Sequence, residues 1–224
     1  MRSVIFDLDG TLADTSADLI AGANAALAAL GLAERLDPVA DAGTAFRGGR
    51  AMLRLGLARA GRPMGPDLEA QVERGYPLLL DAYEARIDAE TRLYPGALEA
   101  VAALSESGFA VGVCTNKPEY LARLLLDRLG VAEVFAALVG ADTLPVRKPD
   151  PAPFHEAVAR AGGAKGRALL IGDTVTDRDT ARAAGAPVAL VTFGPDGRGV
   201  ADLAPDALLD RYADLPALAA RLLR

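Results

Sequence analysis

Val4-Ile5-Phe6-Asp7-Leu8-Asp9-Gly10-Thr11 opens the chain with a short apolar run that ends in two carboxylates and a Gly-Thr turn. The run reads as a strand. Side chains alternate along a strand, but at its end the chain curls, and both carboxylates can point at one ligand. Two like charges a few ångströms apart repel, and they are tolerated when a cation lies between them or one keeps a proton. Either arrangement implies chemistry at this strand end.

Further along, short β-rich runs alternate with helical patterns. Candidate strands are Ser3–Asp7, Ala110–Thr115, Ala137–Val139, Ala168–Gly172 and Val188–Thr192, with a weaker one at Ala207–Leu209. Helical periodicity lies between them, at Gly96–Ser107, Pro118–Leu129, Pro153–Ala161 and Thr176–Ala184. Pro95 and Pro118 stand where helices begin, and Gly108, Gly130, Gly162 and Gly185 where they end. Such alternation predicts a parallel sheet covered on both faces. Residues 15–89 break the pattern: they carry no strand signal, only three or so helical segments interrupted by Gly31, Pro38, Gly61-Arg62-Pro63 and Gly65-Pro66. The predicted architecture is α/β, with a Rossmann-like, doubly wound parallel sheet core (residues 1–14 and 91–224) and an inserted all-helical cap domain (residues 15–90), Thr91–Pro95 being the return hinge.

The 224 residues suit one large domain, or one domain carrying a smaller insertion, and a hydrophobic share of 51% excludes wholesale disorder. A net charge of -6 argues against nucleic acid as the main partner, because phosphate backbones need a basic footprint. It leaves room for a small anion in a local positive pocket. The single Cys114 excludes a disulfide framework and a cysteine-rich zinc site, and points to a reducing, cytoplasmic setting. The apolar run at the start is too short for a signal peptide. The Ala-rich stretch from Leu19 to Ala33 is interrupted by Asn24 and too short to span a bilayer, so no membrane partner is expected.

In open α/β sheets ligands bind beyond the C-terminal strand ends. Four predicted ends carry suggestive residues: Asp7 with Asp9, Thr115-Asn116, the Arg147-Lys148-Pro149 loop, and Asp173 with Asp177. Each alone is an ordinary turn; all four on one edge are a site. In this order the pattern resembles the haloacid dehalogenase superfamily over essentially the whole chain. Asp7-Leu8-Asp9-Gly10-Thr11-Leu12 looks like its first motif, Thr115-Asn116 its second, Lys148-Pro149 its third, and Gly172-Asp173-Thr174-Val175-Thr176-Asp177 its fourth. The helical block is similar to the cap of its phosphatase branch. More narrowly, Thr115-Asn116-Lys117-Pro118, Lys148-Pro149-Asp150-Pro151 and the run from Gly172 through Ala183-Ala184-Gly185 look like phosphoglycolate phosphatases. Related sugar-phosphate phosphatases and pyrophosphatases share most of these residues.

The resemblance implies a phosphatase acting on a small phosphorylated molecule with Mg²⁺ as cofactor. Phosphoryl transfer needs an in-line nucleophile, a metal and fixed positive groups. Asp7 is the expected nucleophile, forming an aspartyl-phosphate. Asp9 is the expected acid and base, protonating the leaving oxygen and then deprotonating water. The expected metal ligands are Asp7, the Asp9 backbone carbonyl and Asp173, with Asp177 one helical turn further on, acting through water or from behind them; a plain helix cap is the other reading of Asp177. Thr115 and Asn116 offer a hydroxyl and an N–H to phosphate at a helix start. Lys148 is expected to pair with Asp7 and the phosphate. It is one of only three lysines, with Lys117 and Lys165, in an arginine-rich chain, which suggests a compact ammonium is needed there.

In the cap, Phe46-Arg47-Gly48-Gly49-Arg50 is the candidate substrate reader: Arg47 and Arg50 could grip a carboxylate or second phosphate, or be solvated. Cys114 reads as a small buried hydrophobe, His155 as structural or on the surface, and the flexible loop Gly194–Gly199 as a plain surface turn first and a border of the site second. Asp9 separates the chain from a dehalogenase, and the absence of any lysine before Lys117 from a Schiff-base phosphonoacetaldehyde hydrolase. A cap without histidine or lysine also disfavours a phosphoglucomutase-like enzyme. A phosphate-sensing protein without turnover would be expected to lack Asp7, Asp9 or Lys148, and all three are present.

Overall fold

A computed structural model describes residues 1–224. Strand β1 (Ser3–Phe6) and a two-residue β2 (Ala13–Asp14) are followed by four helices, α1 (Ser16–Ala29), α2 (Ala42–Ala45), α3 (Gly49–Arg59) and α4 (Pro66–Glu84), and then by β3 (Arg92–Leu93). Alternation follows: α5 (Ala97–Glu106), β4 (Ala110–Cys114), α6 (Glu119–Arg128), β5 (Ala137–Val139), α7 (Ala152–Arg160), β6 (Ala168–Gly172), α8 (Val175–Ala184), β7 (Val188–Val191), β8 (Ala207–Leu209) and α9 (Leu215–Leu222).

The main sheet has six strands in the order β5-β4-β1-β6-β7-β8, each neighbouring pair parallel. Counting these strands along the chain, the order is that of a doubly wound Rossmann-like sheet, and the winding reverses between β1 and β6. Every residue of β1, β4 and β6 is buried, so these strands read in sequence as continuous apolar runs rather than alternating ones. One face packs Ile5, Val139, Leu170 and Leu190 with Phe154 of α7 into a single core cluster.

The chain forms two compact units, Met1–Asp14 with Leu93–Arg224, and Thr15–Arg92. The second unit is helical. Gly56 lets α3 approach α1 closely, since a Cβ there would stand 2.4 Å from Leu27 Cδ1. Its two ends are tied by Asp18, a fully buried carboxylate in the first turn of α1. Asp18 Oδ2 accepts the Glu90 and Thr91 N–H groups and the Thr91 hydroxyl, each at 2.9 Å, while Oδ1 accepts Arg86 Nε and Nη2 at 3.2 Å.

Element ends differ from the sequence reading by a residue or so: β1, β4 and β7 stop one residue early, placing Asp7, Thr115 and Thr192 just past their strands. The helical block holds four helices rather than three or so, because α2 is a single turn without room for a periodic pattern. Helix α9 lies outside the helical segments read from the sequence, although Pro216 stands at its first turn as proline does at other helix starts. Gly197–Leu203 forms a 3₁₀ helix where a surface turn was expected. No helix is long and apolar enough to cross a membrane.

Candidate active site

The parallel register sets the site. Phe6 pairs with Ile171 of β6 and Val113 of β4, so Asp7, Asp173 and Thr115 all emerge at the same edge, beside the point where the winding reverses. Asp7 continues the ladder for one bond, its N–H donating to the Ile171 carbonyl at 2.8 Å. The chain then turns sharply. Leu12 N–H returns to the Leu8 carbonyl at 2.9 Å and Gly10 N–H reaches the Ala13 carbonyl at 2.9 Å, while Gly10 takes a left-handed φ of 80° that glycine adopts without strain. Leu8 and Leu12 are fully buried and anchor the turn.

Three carboxylates converge: Asp7, Asp173 and Asp177 each offer an oxygen, all within 4.8 Å of one another. Lys148 is the ammonium among them, 2.6 Å from Asp177 Oδ1 and 3.2 Å from Asp7 Oδ1. The Leu8 N–H also donates to Asp7 Oδ1, at 2.7 Å. Thr11 donates its hydroxyl to Asp173 Oδ1 at 2.8 Å. Asp177 Oδ2 accepts the Thr174 hydroxyl at 2.7 Å and the Thr174 N–H at 3.1 Å, forming a capping box on α8. The capping reading of Asp177 holds, and its other oxygen meets Lys148. This requires glycine at 172, because a Cβ there would lie 2.3 Å from Asp177 Cγ.

Burial pushes the Asp7 carboxyl up to about 6; Lys148 opposes the rise, and Asp177 and Asp9 add to it. Burial also lifts Asp173 well above the usual carboxylate range, helped by Asp177 and Asp7 and opposed by Thr11 and Lys148. For Lys148, burial works against the ammonium, but Asp177 and Asp7 outweigh it and hold the group above an ordinary lysine. The site thus carries more acid than its own cation balances. The donors are hard carboxylate oxygens, without cysteine or histidine, which fits Mg²⁺ better than a softer metal.

On the β4 side, Thr115 is buried and its hydroxyl accepts the Lys117 N–H at 3.2 Å. Asn116 donates Nδ2 to the Lys148 carbonyl at 3.0 Å, tying that loop to the Lys148 loop. Pro118 caps α6. Lys117, to which the sequence reading gave no role, sends Nζ to Asp9 at 2.9 Å (Oδ1) and 3.3 Å (Oδ2), and its side chain is buried. Its place in Thr115-Asn116-Lys117-Pro118 was the available signal.

Within the helical unit, Arg50 is engaged: it makes a bidentate pair with Glu73 at 2.7 and 2.9 Å and its guanidinium lies 3.7 Å from the Tyr76 ring centroid. Arg47 is exposed. Cys114 lies in the core, and burial pushes its thiol up to about 12, as expected of an inert side chain. His155 stacks near Phe154 in α7, with ring centroids 5.8 Å apart. The loop after β7 fits both of its sequence readings: Pro195 and Asp196 form an exposed turn, and Gly194 borders the site, where a Cβ would stand 3.3 Å from the Gly10 carbonyl oxygen and 3.7 Å from Asp173 Cβ.

The model of a family described as haloacid dehalogenase-like hydrolase matches residues 1–185. A phosphoglycolate phosphatase of Mesorhizobium japonicum is 41% identical over 227 residues, covering 99% of this chain and 96% of that protein. One of Agrobacterium fabrum is 40% identical over 220 residues, covering 97% and 92%. A crystal structure described as a predicted phosphoglycolate phosphatase from Haemophilus somnus matches with a TM-score of 0.81 at 26% identity, covering 97% of each chain.

Proposed function

The chain belongs to the haloacid dehalogenase-like hydrolase family, and from that membership we propose that it hydrolyses a small phosphomonoester, 2-phosphoglycolate first among them, through an aspartyl-phosphate on Asp7. The substrate follows from the names of its relatives, phosphoglycolate phosphatases that align over nearly their full length. The observation that carries the chemistry is Lys148, buried at hydrogen-bond distance from Asp177 and 3.2 Å from Asp7, beside Asp173 at the reversal of the sheet.

Asp7 attacks phosphorus and the leaving oxygen departs in line. The Leu8 N–H and Lys148 fix one Asp7 oxygen and so limit rotation of the carboxylate. Asp9, held by Lys117, gives its proton to the leaving oxygen. It then takes a proton from the water that attacks the aspartyl-phosphate, releasing inorganic phosphate and restoring Asp7. Thr115, Asn116 and Lys148 supply the donors around the phosphate. Asp7, Asp173 and the Asp9 carbonyl would hold Mg²⁺, with Asp177 behind them or joining through water; the ion supplies charge neutralisation for the phosphoryl oxygens when bound. In the helical unit the exposed Arg47 is our assignment for gripping the substrate carboxylate, with Arg50 as its neighbour in the same turn. The setting we assign is cytoplasmic.

The test is phosphate release from 2-phosphoglycolate, generic sugar phosphates, pyrophosphate and p-nitrophenyl phosphate, with Mg²⁺ or with EDTA. We expect EDTA-sensitive turnover, highest kcat/KM for 2-phosphoglycolate, and loss of activity in Asp7→Asn. Full activity of Asp7→Asn would defeat the covalent mechanism. Equal kcat/KM across the panel would defeat the substrate assignment and favour a broader sugar-phosphate phosphatase.

A further inference from the structure

The Asp7–Ala13 turn is braced from beyond the residues that the family model matches. Tyr212, beyond the end of the family match at residue 185, donates its hydroxyl to the Thr11 carbonyl at 2.7 Å. Both residues are buried, Thr11 fully and Tyr212 to 1% exposure. The other polar end of Thr11, its hydroxyl, is given to Asp173. One residue is therefore held at both ends, with Tyr212 on one side and the Asp173 carboxylate on the other.

The brace is itself anchored. The Tyr212 ring lies 6.4 Å from that of Phe6, the residue before Asp7, and 5.2 Å from that of Phe193, which in turn lies 4.9 Å from Tyr94. Tyr212 thus touches the strand that delivers Asp7 and the turn that follows it. Burial, with Asp173 and Tyr94 nearby, holds its phenol well above the usual tyrosine range, so the hydroxyl remains a donor. Gly194, next to Phe193, lies against the Gly10 carbonyl and completes the support.

We propose that Tyr212 is a positioning residue, which sets the separation of Asp7 and Asp173 through Thr11 and so tunes the cation site between them; this rests on the proposed function above. Removing the Tyr212 hydroxyl leaves the buried Thr11 carbonyl unsatisfied, a penalty the turn relieves by rotating Thr11, whose hydroxyl is the group on Asp173. Groups that orient ligands in this way are worth roughly tenfold or more in metal affinity.

The experiment uses the full chain without substrate. The melting temperature is followed as Mg²⁺ is added to wild type, to Tyr212→Phe and to Gly56→Ala, the last a packing change in the helical unit. Tyr212→Phe is expected to need roughly tenfold more Mg²⁺ for half of its thermal gain, and its metal-free form to exchange the Gly10–Ala13 amides faster. Gly56→Ala should lower the melting temperature without moving the Mg²⁺ midpoint. An unchanged midpoint in Tyr212→Phe, or an equal shift in Gly56→Ala, overturns the inference. If Tyr212→Phe does not fold, Phe193→Leu keeps the hydroxyl but removes the ring it leans on, and the same shift or its absence decides. A wild type that gains nothing from Mg²⁺ overturns the proposed cation site and this inference with it; a wild type that gains while Tyr212→Phe gains equally overturns this inference alone.

Discussion

Lys148 Nζ lies 2.6 Å from Asp177 Oδ1, with both side chains buried, and this pair is the electrostatic hinge of the site. Taking the ammonium away leaves Asp7, Asp173 and Asp177 within 4.8 Å of one another and uncompensated. Breaking a buried pair from one side costs about 3–5 kcal/mol. Lys148→Met is expected to lose that much in urea unfolding without Mg²⁺, and to show no turnover with it. Lys148→Arg should stay inactive, because a planar fork does not fit where a compact ammonium meets two carboxylates. Wild-type turnover in either variant would remove Lys148 from the mechanism.

A pH prediction follows from Asp7. Its carboxyl sits at about 6 in the folded chain against an ordinary 3.8, mainly through burial. Without a cation, the stabilisation from its protonated form is complete below 3.8 and is lost as pH rises through about 6. Mg²⁺ competes with that proton. The melting-temperature gain from a fixed Mg²⁺ concentration should therefore grow between about pH 5 and about pH 7 as Asp7, together with the neighbouring raised Asp173, gives up its proton, and Asp7→Asn should reduce the rise. An equal gain at both pH values in the wild type would show that the cation does not meet Asp7.

Gly172→Ala tests the end of β6. A methyl group 2.3 Å from Asp177 Cγ must displace a carboxylate that caps α8 and holds Lys148. Overpacking of this kind costs about 1–3 kcal/mol, and kcat should fall with stability. Unchanged unfolding and kcat would mean that Asp177 can move freely.

The two arginines of the helical unit should separate. Arg50 is bound to Glu73 and stacked on Tyr76. Arg50→Ala is expected to lower the melting temperature while KM for 2-phosphoglycolate stays within about twofold. Arg47→Ala should leave stability unchanged and raise that KM by roughly tenfold, with little change for p-nitrophenyl phosphate, which lacks a carboxylate. An Arg47→Ala enzyme with wild-type KM for both substrates would make Arg47 a surface charge.

The sheet was legible in the sequence because strands buried on both faces become short, unbroken apolar runs, and because glycine and proline punctuate the helices between them. The convergence of Asp7 and Asp173 was legible from their positions just past strands, and that of Lys148 from its place in the Arg147-Lys148-Pro149 loop. Tertiary hydrogen bonds leave no such trace. Lys117 meets Asp9 across 108 positions and Tyr212 meets Thr11 across 201, and neither spacing carries a periodic signal. Helix α2 is too short to show a period. The double duty of Asp177 was open until both of its oxygens had partners, since a capping aspartate and a site aspartate look alike in sequence.

Asp18 has a consequence for how such a chain can diverge. It fastens the first turn of α1 to Glu90 and Thr91, so the helical segment leaves and returns at one knot. Lengthening, shortening or exchanging what lies inside the knot leaves the knot's own hydrogen bonds in place. The segment is a cassette with its clasp built in. A lineage can rewrite what the clasp encloses while Asp18, Glu90 and Thr91 stay as they are.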